Sequence, residues 1–531
     1  MSSQQRSLQL SRSTYTMLPM IEQLQLQIGD SSAGYHLIGS DEVQIEKPEE
    51  SGTSVSDAEI DDIERQMRQG EKKAALARWL RKLIVLLPSF LQPSQPSAEP
   101  RKLQRTAWLD GLRGLAALFV VWHHMSLIWF SWDIHNGWTG GPNDHLIQLP
   151  IIRLVVSGLP NVMVFFVISG YSLSCKPLSL LRQNRQLETH QALASSAFRR
   201  HPRLFIPAIF ICLPSPIMAY MGLYESAEAM PGAAIAPMKP PRLDTLWHQF
   251  VNYGRAVMSL SDLFGATGIA WAYSDALWTL PIEWNSSLVI FGFLLALSRC
   301  SSRTRMVIGL GVAGYSWWYI HWGELLFIGG LLVADAQLSF QERAVHEGQQ
   351  QSPSTWRWRR LSRSRIIRNL CALAAFLASL FVLSMPETGG ADSIGFKTLA
   401  AMIPQHFNVG PKYFWLPLAA ISLVFCIDNA PFLQPIFTAR FPQYLGRISY
   451  AMYLVHQMIL HSFGTKLGKT MVGFTGSETG VQYVSGIFLA AIVVWIGVIW
   501  TADLGWRFVD ANAVSFCVWA YRKLCQRVGE I

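Results

Sequence analysis

An apolar run of about 24 residues that carries four ionisable side chains constrains this chain more than any other feature. It reads AWLDGLRGLAALFVVWHHMSLIWF over residues 107–130 and is almost wholly apolar after Arg113. A helix of that length spans a hydrocarbon layer of roughly 30 Å. Asp110, Arg113, His123 and His124 interrupt it. An ionisable group at membrane depth costs roughly 2.5–3.5 kcal/mol on insertion scales, so such groups turn toward a protein interior or a wet cavity. Arg113 and His124 are eleven residues apart. About 1100° of helical rotation returns them to within roughly 20° of one face, about 16 Å apart along the axis. A cation near one membrane surface, in line with an imidazole deep inside, suits the two ends of a site for a long anionic ligand.

The rest of the chain agrees with a membrane setting. Half of its 531 residues are hydrophobic and only 15% are charged, and several apolar runs are too long for a soluble core. We expect an all-α, polytopic integral membrane bundle. The net charge of +9 then follows from basic loops and does not point to nucleic acid. The seven cysteines are scattered, with no CxxC pair, so neither a disulfide framework nor a metal site is expected. The first twenty residues lack the apolar core of a signal peptide, so the first span is expected to direct insertion.

Residues 1–73 are rich in Ser, Gln, Glu and Asp and read as a disordered cytosolic tail. Residues 74–106 comprise a basic, apolar segment, AALARWLRKLIVLLPSFL, and a Pro/Ser linker. The segment suits either an amphipathic helix on an anionic leaflet or a short helix docked on the bundle. Spans are placed at 107–130, 158–176, 203–221, 277–298, 306–320, 323–337, 369–385, 412–428, 447–463 and 481–503, about ten, within a membrane domain that runs to 510. A short C-terminal cytosolic helix is expected within 511–531. Lys and Arg gather before the first span and in the loops at 176–203, 299–305 and 338–368. By the positive-inside bias, both termini are cytosolic.

Further ionisable residues stand where lipid would forbid them. Arg199, Arg200 and Arg203 open the third span, Glu283 lies in the fourth, and His456 lies in the ninth, on one helix face with Ser449 and Tyr453. His124 lies roughly 25 Å in from the cytosolic surface and Glu283 roughly 9 Å in from the opposite one. Both fall in the outer third of the bilayer, so the carboxylate is positioned to orient the imidazole. Singly, each residue also has a plain reading: a hydrogen-bonded buried histidine, arginines that set topology, an i,i+3 pair of Asp110 with Arg113.

LDGLRGLAALFVVWHH (109–124), FFVISGYSLS (165–174), RRHPRLFIP (199–207), WTLPIEWNSSLVIF (278–291) and LGRISYAMYLVH (445–456) together resemble the acyltransferase-three family of membrane O-acyltransferases. ADLGWRFVD (502–510) is similar to the closing segment of its fungal members. The family's arginine, ten residues, then histidine pattern falls on Arg113 and His124. The resemblance implies transfer of an acyl group, often acetyl, from acyl-coenzyme A as co-substrate, without a metal, to a hydroxyl. It implies that the donor's phosphates meet Arg113, Arg199, Arg200 and Arg203, with His124 as general base or as acyl carrier. Glu283 would orient His124, and Tyr453 and His456 would line the acceptor side. Where fungal relatives carry a basic residue two positions after the glutamate, this chain has Asn285.

Three functions fit these residues: an O-acyltransferase acting on a small-molecule or glycan hydroxyl, a transporter of an anionic or acylated small molecule, or an inactive scaffold on the same fold. An enzyme needs the imidazole of His124; a carrier that uses only its hydrogen bond tolerates glutamine there.

Overall fold

The computed structural model describes residues 84–92 and 103–525, apart from 143, 226, 263–270, 350–354 and 388. The tail expected over 1–73, residues 74–83 of the basic apolar segment and most of the linker lie outside the described residues. So does the chain beyond 525. Every element of regular structure among the described residues is helical. Among the described residues thirteen helices have eight residues or more: α1 (Ala107–Trp129), α2 (Gly158–Arg182), α3 (Gln186–Ile211), α4 (Leu246–Leu260), α5 (Thr279–Ala296), α6 (Ser302–Trp318), α7 (Trp322–Gln349), α8 (Thr355–Leu383), α9 (Lys412–Asn429), α10 (Arg440–Ile459), α11 (Thr465–Thr475), α12 (Gly480–Gly505) and α13 (Ala511–Cys525).

Each of the ten segments placed from the sequence falls on helix, but among the described residues only seven stretches are long and apolar enough to cross a membrane. The segments on α6, α9 and α10 fall short, for separate reasons. Helix α6 has 17 residues. Helix α9 is bounded by Lys412 and Asp428 and contains Pro417. Helix α10 carries Arg440, Arg447, His456 and Gln457 and buries most of its length. A helix with a polar interior and a lipid-free surface does not need to be apolar throughout. The opposite case is α8, where only 11% of the apolar window is buried. Leu370, Leu373 and Leu377 on it point outward, as do Val484, Phe488, Ile492 and Ile496 on α12. Such an outward apolar belt belongs in lipid.

Two crossings bring the functional helices together. Where α1 meets α10, a methyl group on Gly114 would stand 2.4 Å from the Gly446 nitrogen, and one on Gly446 would stand 2.2 Å from the Asp110 oxygen. Where α2 meets α7, Gly170 and Gly330 leave the same kind of gap, 2.2 Å from Phe327 O and Val167 O respectively. Small residues let helix backbones approach in lipid, where packing rather than water drives association. Two apolar cores form around these crossings. One gathers Trp129, Leu280, Val455 and Ala490; the other gathers Phe166, Phe327, Leu331 and Ile427. Tyr453 and Phe165 border both.

Residues 84–92 form a turn that rests on the end of α12. Ser89 gives two hydrogen bonds to Asp503, at 3.1 Å from its N–H and 2.6 Å from its hydroxyl. Trp500 and Arg507 donate to the carbonyls of Leu86, Val85 and Leu87. Both readings of the basic apolar segment concern a helix over 74–91, of which 74–83 lie outside the described residues; the remainder is this turn.

Between α1 and α2, outside the long helices, His135 is buried, and that burial, with His123 and Arg153 nearby, pushes its pKa down to about 4. The folded protein thus excludes a proton that the unfolded chain binds below about pH 6.5. Its contribution to stability is complete above that pH and is lost as pH falls toward 4. The thermal midpoint of detergent-solubilised protein is expected to drop from pH 7 to pH 4.5, and to drop less in His135→Gln; equal slopes in both proteins would show that His135 plays no part.

Candidate active site

At the seam between the two cores is a cavity of about 270 Å³. Arg113 from α1, Ser169 from α2, Arg200 and Arg203 from α3, Thr279 and Glu283 from α5, and Arg447, Tyr450 and Tyr453 from α10 line it. Asp510 completes the wall, from a π-helical turn (Trp506–Asp510) that follows α12; such bulges re-aim side chains at functional sites. Four guanidinium groups face two carboxylates on the cavity wall, and Asp110, paired with Arg113, offsets one more, which leaves a surplus of one positive charge. Arg447 is held against the faces of Tyr444 and Trp506, 5.7 and 5.6 Å from their ring centres. Glu283 accepts from Arg200 at 2.6 Å and from Ser169 at 3.0 Å, while Arg200 also donates to Ser287 at 3.0 Å. A partly enclosed site with excess guanidinium is built for an anion, and a planar fork matches phosphate oxygens.

The inner end of the cavity is Tyr453, whose hydroxyl is 2.6 Å from Thr279 Oγ1 and also donates to Ala276 O. Next to it stands His456, with ring centres 5.8 Å apart. His124 follows at 5.1 Å from His456, and His123 at 5.3 Å from His124. His124 is half-buried and His456 is fully buried. Gln457 lies 3.5 Å from His124 Nδ1. His123 is engaged elsewhere, donating from Nδ1 to Val156 O at 2.7 Å. The anion-seeking cavity and the histidines therefore lie end to end along α1 and α10.

Several residues singled out from the sequence meet here, in arrangements that differ from those expected. Arg113, Arg200 and Arg203 line the cavity, whereas Arg199 does not and donates to Ser195 O of its own helix at 2.9 Å. Consecutive residues stand about 100° apart on a helix, so Arg199 and Arg200 cannot both face inward. Arg113 is also bonded to Asp110 at 2.6 Å, so the plain reading of that pair and its place in the cavity are both true. Depth alone suggested that Glu283 meets His124; instead Glu283 is bonded to Arg200 and Ser169, and His124 to Gln457. Arg200 supplies from α3 the positive charge that Asn285 does not. Tyr453 and His456 lie between the cavity and His124. Arg447, Asp510 and Gln457 were missed. An arginine at the start of a predicted span was a usable signal for Arg447; Gln457 is uncharged and Asp510 follows the last span, so neither stood out. Among the described residues, no cluster of His, Cys, Asp and Glu suits a metal ion.

A family model described as an acyltransferase domain, that of the acyltransferase-three family, matches residues 106–502. The chain is 41% identical over 456 residues to the O-acetyltransferase PaAT-1 of Phomopsis amygdali, covering 83% of this chain and 89% of that one. It is 25% identical to acyltransferase R4 of a Phoma species, covering 78% and 95%. A more distant match, 24% identical over 66% of this chain and 49% of the other, is the peptidoglycan O-acetyltransferase OatA of Listeria monocytogenes. No solved structure matches.

Proposed function

The chain belongs to the acyltransferase-three family of membrane acyltransferases, and from that premise we propose that it moves an acetyl group from acetyl-coenzyme A to a hydroxyl of a small molecule of the secondary-metabolite kind. The observation that carries the donor is the cavity: four arginines against two carboxylates at one end, and histidines in line beyond the other. Coenzyme A is a polyanion with a long arm that ends in the thioester. Its phosphates suit Arg113, Arg203 and Arg447, with Arg200 held in place by Glu283. Its thioester would pass Tyr453 to reach His124 and His456. The relative named as an O-acetyltransferase supports the acetyl group. The uncharged aromatic surroundings of Trp271, Tyr273 and Trp284, all buried beside α5 and α10, support an apolar acceptor over a glycan. The excess of Lys and Arg before the first span and in the loops at 176–203, 299–305 and 338–368 supports a cytosolic side for the arginine end and both termini, the side where coenzyme A is held.

The test is transfer of label from acetyl-coenzyme A to a panel of phenolic, terpenoid and sugar alcohols in membranes that contain the full chain. A labelled phenol or terpenoid ester is expected; label found only on the sugars would replace the acceptor, and no label on any alcohol would remove the acyl-transfer reading. Within that assay Arg203→Ala is expected to raise KM for acetyl-coenzyme A by about tenfold or more, since a charged hydrogen bond contributes roughly 1.5–3 kcal/mol, with kcat little changed. The effect shrinks in high salt, as a lost ionic contact requires.

A further inference from the structure

We infer that Gln457 fixes the tautomer of His124, which makes His124 a hydrogen-bond donor to the thioester carbonyl and leaves His456 as the base that takes the acceptor's proton. The inference rests on the acyl-transfer reading above and divides the chemistry between its two imidazoles.

Gln457 is almost fully buried, and its amide has one orientation that satisfies its neighbours. Its Oε1 is 2.8 Å from the backbone nitrogen of Ala276 and 3.1 Å from Ser274 Oγ. A backbone N–H only donates, so the carbonyl end of the amide must face it. The opposite orientation would set NH₂ against N–H. The amide nitrogen therefore points the other way, 3.5 Å from His124 Nδ1. That nitrogen has no lone pair to offer, so Nδ1 must accept, and the proton of neutral His124 resides on Nε2. A general base working through Nε2 needs the reverse.

His456 has the complementary arrangement. Its Nδ1 is 3.3 Å from the carbonyl oxygen of Met452, one turn back on α10. A carbonyl only accepts, so the proton of His456 is on Nδ1. Its Nε2 is a bare lone pair, buried and without a hydrogen-bond partner among the described residues. An unsatisfied buried nitrogen of this kind costs free energy unless a ligand completes it. The two rings stand 5.1 Å apart, between centres. One imidazole thus presents a donor and its neighbour presents an acceptor.

The step balances with these roles. The acceptor's oxygen attacks the thioester carbon while its proton passes to His456 Nε2. The carbonyl oxygen gains negative charge opposite the His124 Nε2–H, which acts as an oxyanion donor. Collapse breaks the carbon–sulfur bond, and the departing thiolate takes the proton from His456. Thioester and alcohol become ester and thiol, and both histidines return to their starting tautomers. Gln457 touches no reacting atom and is a positioning residue.

The decisive measurement is nitrogen-15 NMR of the full-length protein in detergent, labelled at histidine, at pH 8 where the imidazoles are neutral. His124→Gln and His456→Gln identify the two sets of signals. The expected result is a protonated Nε2 on His124 and a protonated Nδ1 on His456. His124 protonated on Nδ1 in the wild type would overturn the inference. In Gln457→Glu the carboxylate keeps its bond to the Ala276 N–H but can only accept from His124, so His124 moves to the Nδ1–H tautomer. Transfer from acetyl-coenzyme A is then expected to fall by about 10²–10⁴-fold, as loss of correctly placed proton chemistry does, with KM for acetyl-coenzyme A unchanged. An equal loss without a change of tautomer would show a merely structural role and overturn the assignment. Should that variant not fold, the wild-type spectrum alone decides. Failure of the acyl-transfer reading has a separate mark: wild-type membranes label no alcohol, whatever the tautomers.

Discussion

Replacing His124 with alanine is expected to lower kcat for acetyl transfer by about 10²–10³-fold, the usual effect of removing one oxyanion donor, while KM for acetyl-coenzyme A changes little. The separation follows from the geometry. The arginines that would hold the phosphates line the cavity on the near side of Tyr453, and His124 stands beyond it, past His456. Truncating His124 leaves the arginine end intact, so ground-state binding survives and only the transition state suffers. Its chain neighbour His123 is the control. That ring is tied to Val156 O and fills the space above Gly158, where a methyl group would stand 2.4 Å from it. His123→Ala is a packing change between α1 and α2 and should lower the amount of folded protein without a selective loss of kcat. Equal turnover in His124→Ala and wild-type membranes that hold equal amounts of protein would remove His124 from the reaction.

That Arg113 and His124 both turn toward one side of α1, the side of α10, was readable because a single helix carries both: 3.6 residues per turn fixes their relative direction without any knowledge of neighbours. The all-helical class was readable for a related reason, since apolar length alone separates membrane spans from soluble cores. What failed was pairing between helices. Glu283 and His124 share a depth, but depth leaves open which helices are adjacent, and the carboxylate is bonded to Arg200 instead. Gln457 left no trace because an uncharged amide inside a span breaks no rule of burial. The span count also outran simple apolarity: α10 turns its polar side chains inward, so its composition resembles a soluble helix although most of its length is buried. Asp335 is the clearest omission. It lies within the sixth predicted span, yet its partners Arg182 and Arg305 stand at helix ends, where arginine is ordinarily read as a signal of topology.

Asp335→Ala is accordingly expected to be the most damaging change outside the cavity. Asp335 is fully buried on α7 and binds two arginines from two other helices. Arg182, at the end of α2, reaches Oδ1 at 2.6 Å through Nη2 and at 3.0 Å through Nε. Arg305, on α6 and itself 2% exposed, reaches Oδ2 at 2.9 Å and Oδ1 at 3.1 Å. Alanine would leave the Arg305 guanidinium buried with no opposite charge, whereas Arg182 keeps Glu342, Ser302 and Ser339. Removing one partner of a buried pair costs about 3–5 kcal/mol, because the remaining charge stays out of water uncompensated. That is a large fraction of the stability of an ordinary domain. The expected result is a protein that is made but recovered poorly from detergent, with a much lower unfolding midpoint. The sign of the effect is tested by taking away the stranded charge as well. Asp335→Leu combined with Arg305→Met replaces the pair with apolar side chains and should recover most of the loss, since a buried pair replaced whole is often neutral. If the double variant is as unstable as Asp335→Ala, the cost lies in lost packing of α7 against α2 and α6 and not in the unpaired arginine.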